Sequence, residues 1–153
     1  MRLEEISKEE YEKLPFSVKL LEQSEFPRKF ALLTVNEFTE PIALCWSSES
    51  VKPQIVLNDW TPLLWCGIDQ QIVAFDKNTG KIKLTLSLTS NLLEIIMTEN
   101  SIILRNELEI YSFSLDGFLQ NFHYLPEVSE SIIINDATAS VTLIDGETLS
   151  LRI

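Results

Sequence analysis

A chain of 153 residues, 45% hydrophobic and 23% charged, has the composition of one ordinary globular domain. It holds no apolar run of the roughly 18 residues that cross a bilayer, and its start, MRLEEISKEEYEKL, lacks the apolar core of a signal peptide, so a cytoplasmic protein with no membrane partner is expected. The net charge of −11 is uneven: residues 84–153 carry ten acids against only Arg105 and Arg152, a field that repels nucleic acid and attracts a basic partner.

The first signal along the chain is Ser7-Lys8-Glu9-Glu10, a capping box in which Ser7 caps the Glu10 N–H and Glu10 reaches back. It predicts a short helix from Lys8 to about Leu14, stopped by Pro15. Phe16–Gln23 suits a second helical turn or two, ended by Phe26-Pro27. Residues 1–28 thus read as a helical lead-in to a single domain of 1–153, with antiparallel β structure over 30–153. From Phe30 the period becomes that of strands, in FALLTV, IALCW and IVL. Asn58-Asp59-Trp60-Thr61-Pro62 is a turn cluster, with Trp60 expected to tuck over a sheet end. Cys45 and Cys66 each adjoin a tryptophan in an apolar run and read as reduced, buried thiols, with no Cys/His spacing for zinc.

Three later segments share a plan of strand, tight turn, strand, glycine turn and strand. Asp69 to Gly80, Asn106 to Gly117 and Asn135 to Gly146 are each eleven residues apart. Asp116-Gly117 and Asp145-Gly146 are hairpin signals, since both residue types tolerate positive φ. In KIKLTLSL, Ile82, Leu84, Leu86 and Leu88 alternate with Lys81, Lys83, Thr85 and Ser87, which predicts one buried and one wet face. Gly80 to Gly117 is 37 residues and Gly117 to Gly146 only 29, so the third unit reads as truncated.

The stretch GIDQQIVAFDKNTGKIKL, through Gly67, Ala74, Asp76, Thr79, Gly80 and Lys81, resembles a repeat of the quinoprotein-like (PQQ-type) β-propellers. The likeness is strong over about twenty residues, extends as one to three degenerate blade-like units through residues 63–153, and leaves the first half of the chain uncovered. It implies a mainly β fold: an antiparallel meander of blade-like repeats, as an open propeller-like sheet, sandwich or roll, with a short N-terminal helix. Two departures limit it. Leu84 stands where those repeats place a docking tryptophan, and the chain has material for two to three blades where a closed propeller needs about four or more. Open edges then call for cover by the N-terminal helix or by self-association, so a homodimer or higher oligomer is expected.

Catalytic chemistry finds little footing. His123 is the only histidine and has no nucleophile elbow with it. Asp69, Asp116, Asp136 and Asp145 fall at turns, where aspartate is common for backbone reasons. DKNTG begins like a calcium loop, but its glycine comes one position early and Ser87 stands where the loop's final Glu belongs. No cofactor or metal is expected. Two functional readings follow. The first is a small acidic non-enzymatic interaction module, immunity- or inhibitor-like, whose surface for a basic protein would draw on Glu94, Glu99, Glu107, Glu109, Asp116, Glu127, Glu130, Asp136, Asp145 and Glu147. The second is a ligand-binding or accessory subunit of an enzyme complex, its site completed by oligomerisation and lined by Trp46, Trp60, Trp65, Phe75, Phe118, Phe122 and Tyr124.

Overall fold

Alternating apolar and polar residues become strands through most of the chain. The computed structural model describes residues 1–20, 26–49, 51–59 and 61–153, which build four antiparallel sheets. The first contains β1 (Arg2–Glu5), β2 (Lys29–Thr34) and β3 (Ile42–Trp46). The second contains β4 (Gln54–Val56), β5 (Leu63–Ile68), β6 (Gln71–Asp76) and β7 (Ile82–Ser87). The third contains β8 (Leu92–Met97), β9 (Ser101–Asn106), β10 (Glu109–Ser114) and β11 (Leu119–Tyr124). The last contains β12 (Ser129–Asn135), β13 (Thr138–Leu143) and β14 (Thr148–Arg152). Strands adjacent in sequence are adjacent in each sheet, so all four are meanders. No helix among the described residues is long and apolar enough to cross a membrane.

The side-chain period of two sorts residues to opposite faces, and the faces of successive sheets meet in three cores. Leu33, Leu44 and Trp46 pack on Leu64, Val73 and Phe75. Trp65, Ile72 and Ala74 leave the opposite face of the second sheet and meet Ile102, Leu104 and Phe113. Ile103 and Ile110 then meet Ala139, Val141 and Leu143. Strands covered on both faces have no use for alternation, which is why LLWCGI and SIILRN read as continuous runs and every residue of β5 and β9 is buried.

The sheets fan out rather than lie parallel. β8 lies against both β4 and β5, whereas β7 and β11 are half-buried to exposed along their lengths. Gly67 marks the tight end of the fan: a Cβ there would stand 2.1 Å from Leu92 Cδ2 and 3.0 Å from Ile72 Cδ1. Gln54 mends the inner edge of β8, its Nε2 donating to the Leu93 carbonyl at 2.6 Å and its Oε1 accepting from the Ile95 N–H at 2.8 Å.

The outer faces of the first and last sheets differ in kind. Helix α1 (Lys8–Lys13) and a 3₁₀ turn (Phe16–Val18) lay Tyr11 and Val18 over Phe30, Ala43 and Cys45 of the first sheet. The capping box forms as read, with the Glu10 N–H donating to Ser7 Oγ at 3.2 Å and the Ser7 N–H to Glu10 Oε2 at 2.8 Å. The outer face of the last sheet is instead polar, made of Ser131, Thr138, Ser140, Thr148 and Ser150, with Ile133 the apolar exception at 62% exposed.

Several expectations change. The N-terminal segment is not only helical, because Arg2–Glu5 pairs with β2. The helical turns expected over Phe16–Gln23 reduce to Phe16–Val18, with 21–23 outside the described residues, as is Trp60. Four sheets stand where two or three units were expected, since residues 2–46 form one of their own and β8 is an additional strand. Ile82 does not share the burial of Leu84 and Leu86: a bulge between Ala74 and Phe75 shifts the register, and Ile82 is 51% exposed.

The repeat also has a different phase. Leu88 N–H donates to Gln70 O and Leu92 N–H to Asp69 O, both at 2.7 Å; Leu125 N–H to Leu108 O and Ser129 N–H to Glu107 O do the same at 2.7 Å. The donors of these bonds recur 37 residues apart, Leu88 with Leu125 and Leu92 with Ser129, and their carbonyl acceptors 38 apart. β12 is therefore the counterpart of β8, and the last sheet holds three strands. The Asn135-to-Gly146 spacing matches the other two because six-residue strands and short turns recur in any phase. In the two Asp-Gly turns it is the glycine that takes left-handed φ, +87° at Gly117 and +89° at Gly146, while among the other described non-glycine residues positive φ falls on Asp69 and Asp136, in the β5–β6 and β12–β13 turns.

Candidate partner-binding surface

Of the ten acids in residues 84–153, eight stand exposed: Glu99, Glu107, Asp116, Glu127, Glu130, Asp136, Asp145 and Glu147. Glu94 and Glu109 are otherwise engaged. Glu94 is the cross-strand neighbour of Arg105, whose Nε donates to its Oε1 at 2.6 Å. Glu109 is 3% exposed, accepts from Asn106 Nδ2 and, at 3.4 Å, from the Thr89 N–H, and so leaves the surface set. With Arg105 buried, Arg152 is the one exposed cation among residues 84–153. The carboxylates are distributed over strand ends and turns of the last two sheets rather than gathered at one point.

The buried polar groups act as joints between sheets. Arg105 Nη1 donates to the carbonyl and Oγ of Ser129, each at 3.1 Å, while Ser129 Oγ donates to the Asn106 carbonyl at 2.9 Å. Asn106 Oδ1 accepts from the Leu108 N–H at 3.0 Å and the Glu109 N–H at 2.6 Å, closing the turn. One sheet earlier, Asp69 takes this part at φ 45°. Its Oδ2 accepts from the Ser47 N–H at 2.8 Å and Oγ at 3.0 Å, and its Oδ1 from the Ser48 N–H at 3.4 Å. Three sheets meet at this residue, because its carbonyl holds Leu92 of β8. The sequence marks Asp69 and Asn106 as turn residues, and nothing local distinguishes a solvated turn from a buried joint.

DKNTG closes on itself. Asp76 Oδ1 accepts from the Asn78 N–H at 3.1 Å and from the Thr79 N–H and Oγ1, both at 3.0 Å. The Thr79 hydroxyl leads in holding the Asp76 carboxyl below its ordinary pKa, aided by these amides and by Lys83. Among the described residues no group of three or more His, Cys, Asp or Glu is placed to hold a metal. No disulfide joins Cys45 and Cys66, both buried, and burial pushes the Cys66 thiol up to about 12.

The aromatic residues divide. Trp46, Trp65 and Phe75 are core, the last two in different inter-sheet layers. Phe118, Phe122 and Tyr124 are 74%, 48% and 64% exposed, on or beside β11. Phe122 rests against Tyr111 with ring centroids 4.8 Å apart, while burial, then the Glu109 carboxylate, pushes the Tyr111 phenol up to about 12. A groove of about 260 Å³ separates the 3₁₀ turn from the β2–β3 and β6–β7 turns; Val18, Lys19, Phe38, Glu40 and Ile82 line it, and the proposed aromatic pocket contributes only Phe75. His123 Nε2 lies 2.6 Å from the Arg152 carbonyl, tying β11 to β14.

No family model matches the sequence, and no curated protein matches it. Solved structures match the fold. The computationally designed Ika4 protein superposes with a TM-score of 0.53 at 12% identity, covering 92% of this chain and 99% of that one. BamB from Moraxella catarrhalis, a quinoprotein-like β-propeller, superposes at 0.51 with 15% identity over 80% of this chain and 39% of BamB. Sqt1 from Saccharomyces cerevisiae does so at 0.53 with 11% identity, over 81% and 39%. This chain thus spans less than half of the two natural proteins. The likeness establishes a propeller-like fold and stops there.

Proposed function

We propose that this chain is a non-enzymatic interaction module that binds a basic protein, in the manner of an inhibitor or immunity protein, through the surface of its last two sheets. The observation that carries the reading is the eight exposed carboxylates set against Arg152 alone, next to the exposed Phe118, Phe122 and Tyr124 of the β11 rim. Charge of one sign speeds encounter with a basic partner, and solvent-exposed aromatics supply area to bury on contact. Long-range attraction of this kind is screened within about 8–10 Å at 0.1–0.15 M salt, so association should be salt-sensitive.

Affinity capture from extracts of the native cells at 50 and 500 mM salt tests the proposal. A basic protein should be held at low salt and released at high salt, and the double variant Phe122→Ser/Tyr124→Ser should hold less of it. Capture of nothing at low salt, or of a partner indifferent to salt, overturns the reading.

A further inference from the structure

The third sheet holds a buried acid beside exposed aromatic rings and supplies it with no cation. The pairing of β10 with β11 sets Glu109 opposite Tyr124 and Tyr111 opposite Phe122, and the bulge of this ladder lies beyond them, between Ser112 and Phe113. Directly opposed residues of an antiparallel pair share a face, with Cβ atoms about 4.5–5.5 Å apart, so the four side chains form one patch. The contacts agree: the Tyr111 and Phe122 rings have centroids 4.8 Å apart, and burial, then the Glu109 carboxylate, raises the Tyr111 phenol. Phe122 and Tyr124 stand open to solvent on this patch, whereas Glu109 is buried.

Asp69 and Glu109 are the buried acids among the described residues. Asp69 accepts bonds on both of its carboxylate oxygens. At Glu109, Asn106 Nδ2 and the Thr89 N–H both donate to Oε2. A carboxylate accepts about four hydrogen bonds, and the Tyr111 phenol can add at most one, so Glu109 keeps room for a further donor. No described lysine, arginine or histidine pairs with it; Arg105, the cation of the same sheet, bonds Glu94 and Ser129 instead.

We propose that Glu109, Tyr111, Phe122 and Tyr124 form the seat for an arginine side chain of the basic partner, its guanidinium lying on the exposed rings and donating to Glu109. This rests on the reading of the chain as a module for a basic protein and names the group by which that protein is gripped. Charge complementarity selects the occupant. An apolar side chain would cover the rings and further desolvate a carboxylate left without a cation. A guanidinium is planar and weakly hydrated, and it stacks on aromatic faces while its N–H groups stay in plane for a carboxylate. Leu84 and Leu86 of β7 belong to the same apolar layer as Tyr111 and offer a wall to the methylene stem.

The probe is acetyl-arginine methylamide, the control is its uncharged citrulline analogue of nearly equal shape, and the readout is NMR of the Phe122 and Tyr124 ring protons in the full chain. Arginine should shift these signals saturably and move its own δ-methylene protons upfield, as protons above an aromatic face do, while citrulline should bind roughly tenfold more weakly. Tyr124→Leu keeps apolar area and removes a π face; Glu109→Gln keeps the shape and removes the charge. Each should weaken arginine binding about threefold to fivefold. Tyr124 is exposed, so Tyr124→Leu should unfold at the parental temperature and keeps the test decisive where Glu109→Gln loosens the turn. Equal binding of arginine and citrulline overturns the seat, as does parental binding by Tyr124→Leu. Ring shifts that follow protein concentration rather than probe would place a second copy on the patch and overturn it too. A basic partner captured at low salt and held equally well by Tyr124→Leu would sink the seat and leave the interaction reading standing, whereas capture of no partner at low salt would sink both.

Discussion

Replacing Asp69 by alanine tests whether the turn between β5 and β6 is a joint rather than a simple reversal. Two bonds to its carboxylate, from Ser47 N–H at 2.8 Å and Ser47 Oγ at 3.0 Å, have good geometry. Hydrogen bonds to a charged group contribute about 1.5–3 kcal/mol each, with the lower figure fitting a half-buried Ser47 that water can reach in the variant. Alanine at φ 45° adds about 1 kcal/mol of backbone strain that aspartate tolerates better. The sum is a loss of about 3–5 kcal/mol for Asp69→Ala. Glycine relieves the strain but not the lost bonds, and asparagine keeps an acceptor and the left-handed conformation. The expected order is parent, Asn, Gly, Ala. Urea denaturation followed by the fluorescence of buried Trp46 and Trp65 reads it out, and with a slope of about 2 kcal/mol per molar urea the alanine variant should shift the midpoint by roughly 2 M. A loss under about 1 kcal/mol, or a glycine variant less stable than the alanine one, would refute the joint.

Arg105→Ala should cost about 3–5 kcal/mol by the same assay, because it strands the Ser129 carbonyl and leaves Glu94 without its cation, whereas Glu94→Gln at the half-exposed rim should cost far less. Gly67→Ala, opposed by Leu92, should lose about 1–3 kcal/mol through overpacking, while Gly146→Ala, with nothing within 4 Å, should lose only the roughly 1 kcal/mol of its φ. Asp76 has a lowered pKa in the folded state, so its stabilising share is complete above the unfolded value of about 3.9 and disappears as pH falls through the folded one. Thermal melts between pH 2 and 5 should accordingly show a shallower acid loss in Thr79→Ala, and an unchanged slope would contradict the assignment. Native protein should leave Cys66 unmodified by a thiol reagent at pH 8 until denaturant is added, since burial holds its thiol near 12.

The amino-acid sequence determined what depends on a few neighbouring residues. Ser7 and Glu10 sit three apart and cap each other whatever else the chain does. Gly80, Gly117 and Gly146 mark turns because they adopt the left-handed conformation there without a side-chain clash. Period-two alternation places Leu84 and Leu86 on one face, although it misplaces Ile82, whose register a bulge in the pairing resets. The resemblance at residues 67–84 conveys the blade-like hairpin for the same local reason.

Only tertiary structure decided the rest. Asp69 and Glu109 look like turn and strand-end acids in the sequence; they are buried, with Ser47 and Thr89 arriving from some twenty residues away to bond them and Asn106 of the same turn completing the set at Glu109. The spacing of Asn135 and Gly146 suggested one phase for the last repeat, and the linker bonds of Leu125 and Ser129 impose another. Gly67 looks dispensable until β8 is laid within 2.1 Å of its missing Cβ. Strands specify which side chains share a face, but which sheet covers that face follows from contacts between residues far apart in sequence. That is why the cores and the joints emerge only when the four sheets are stacked.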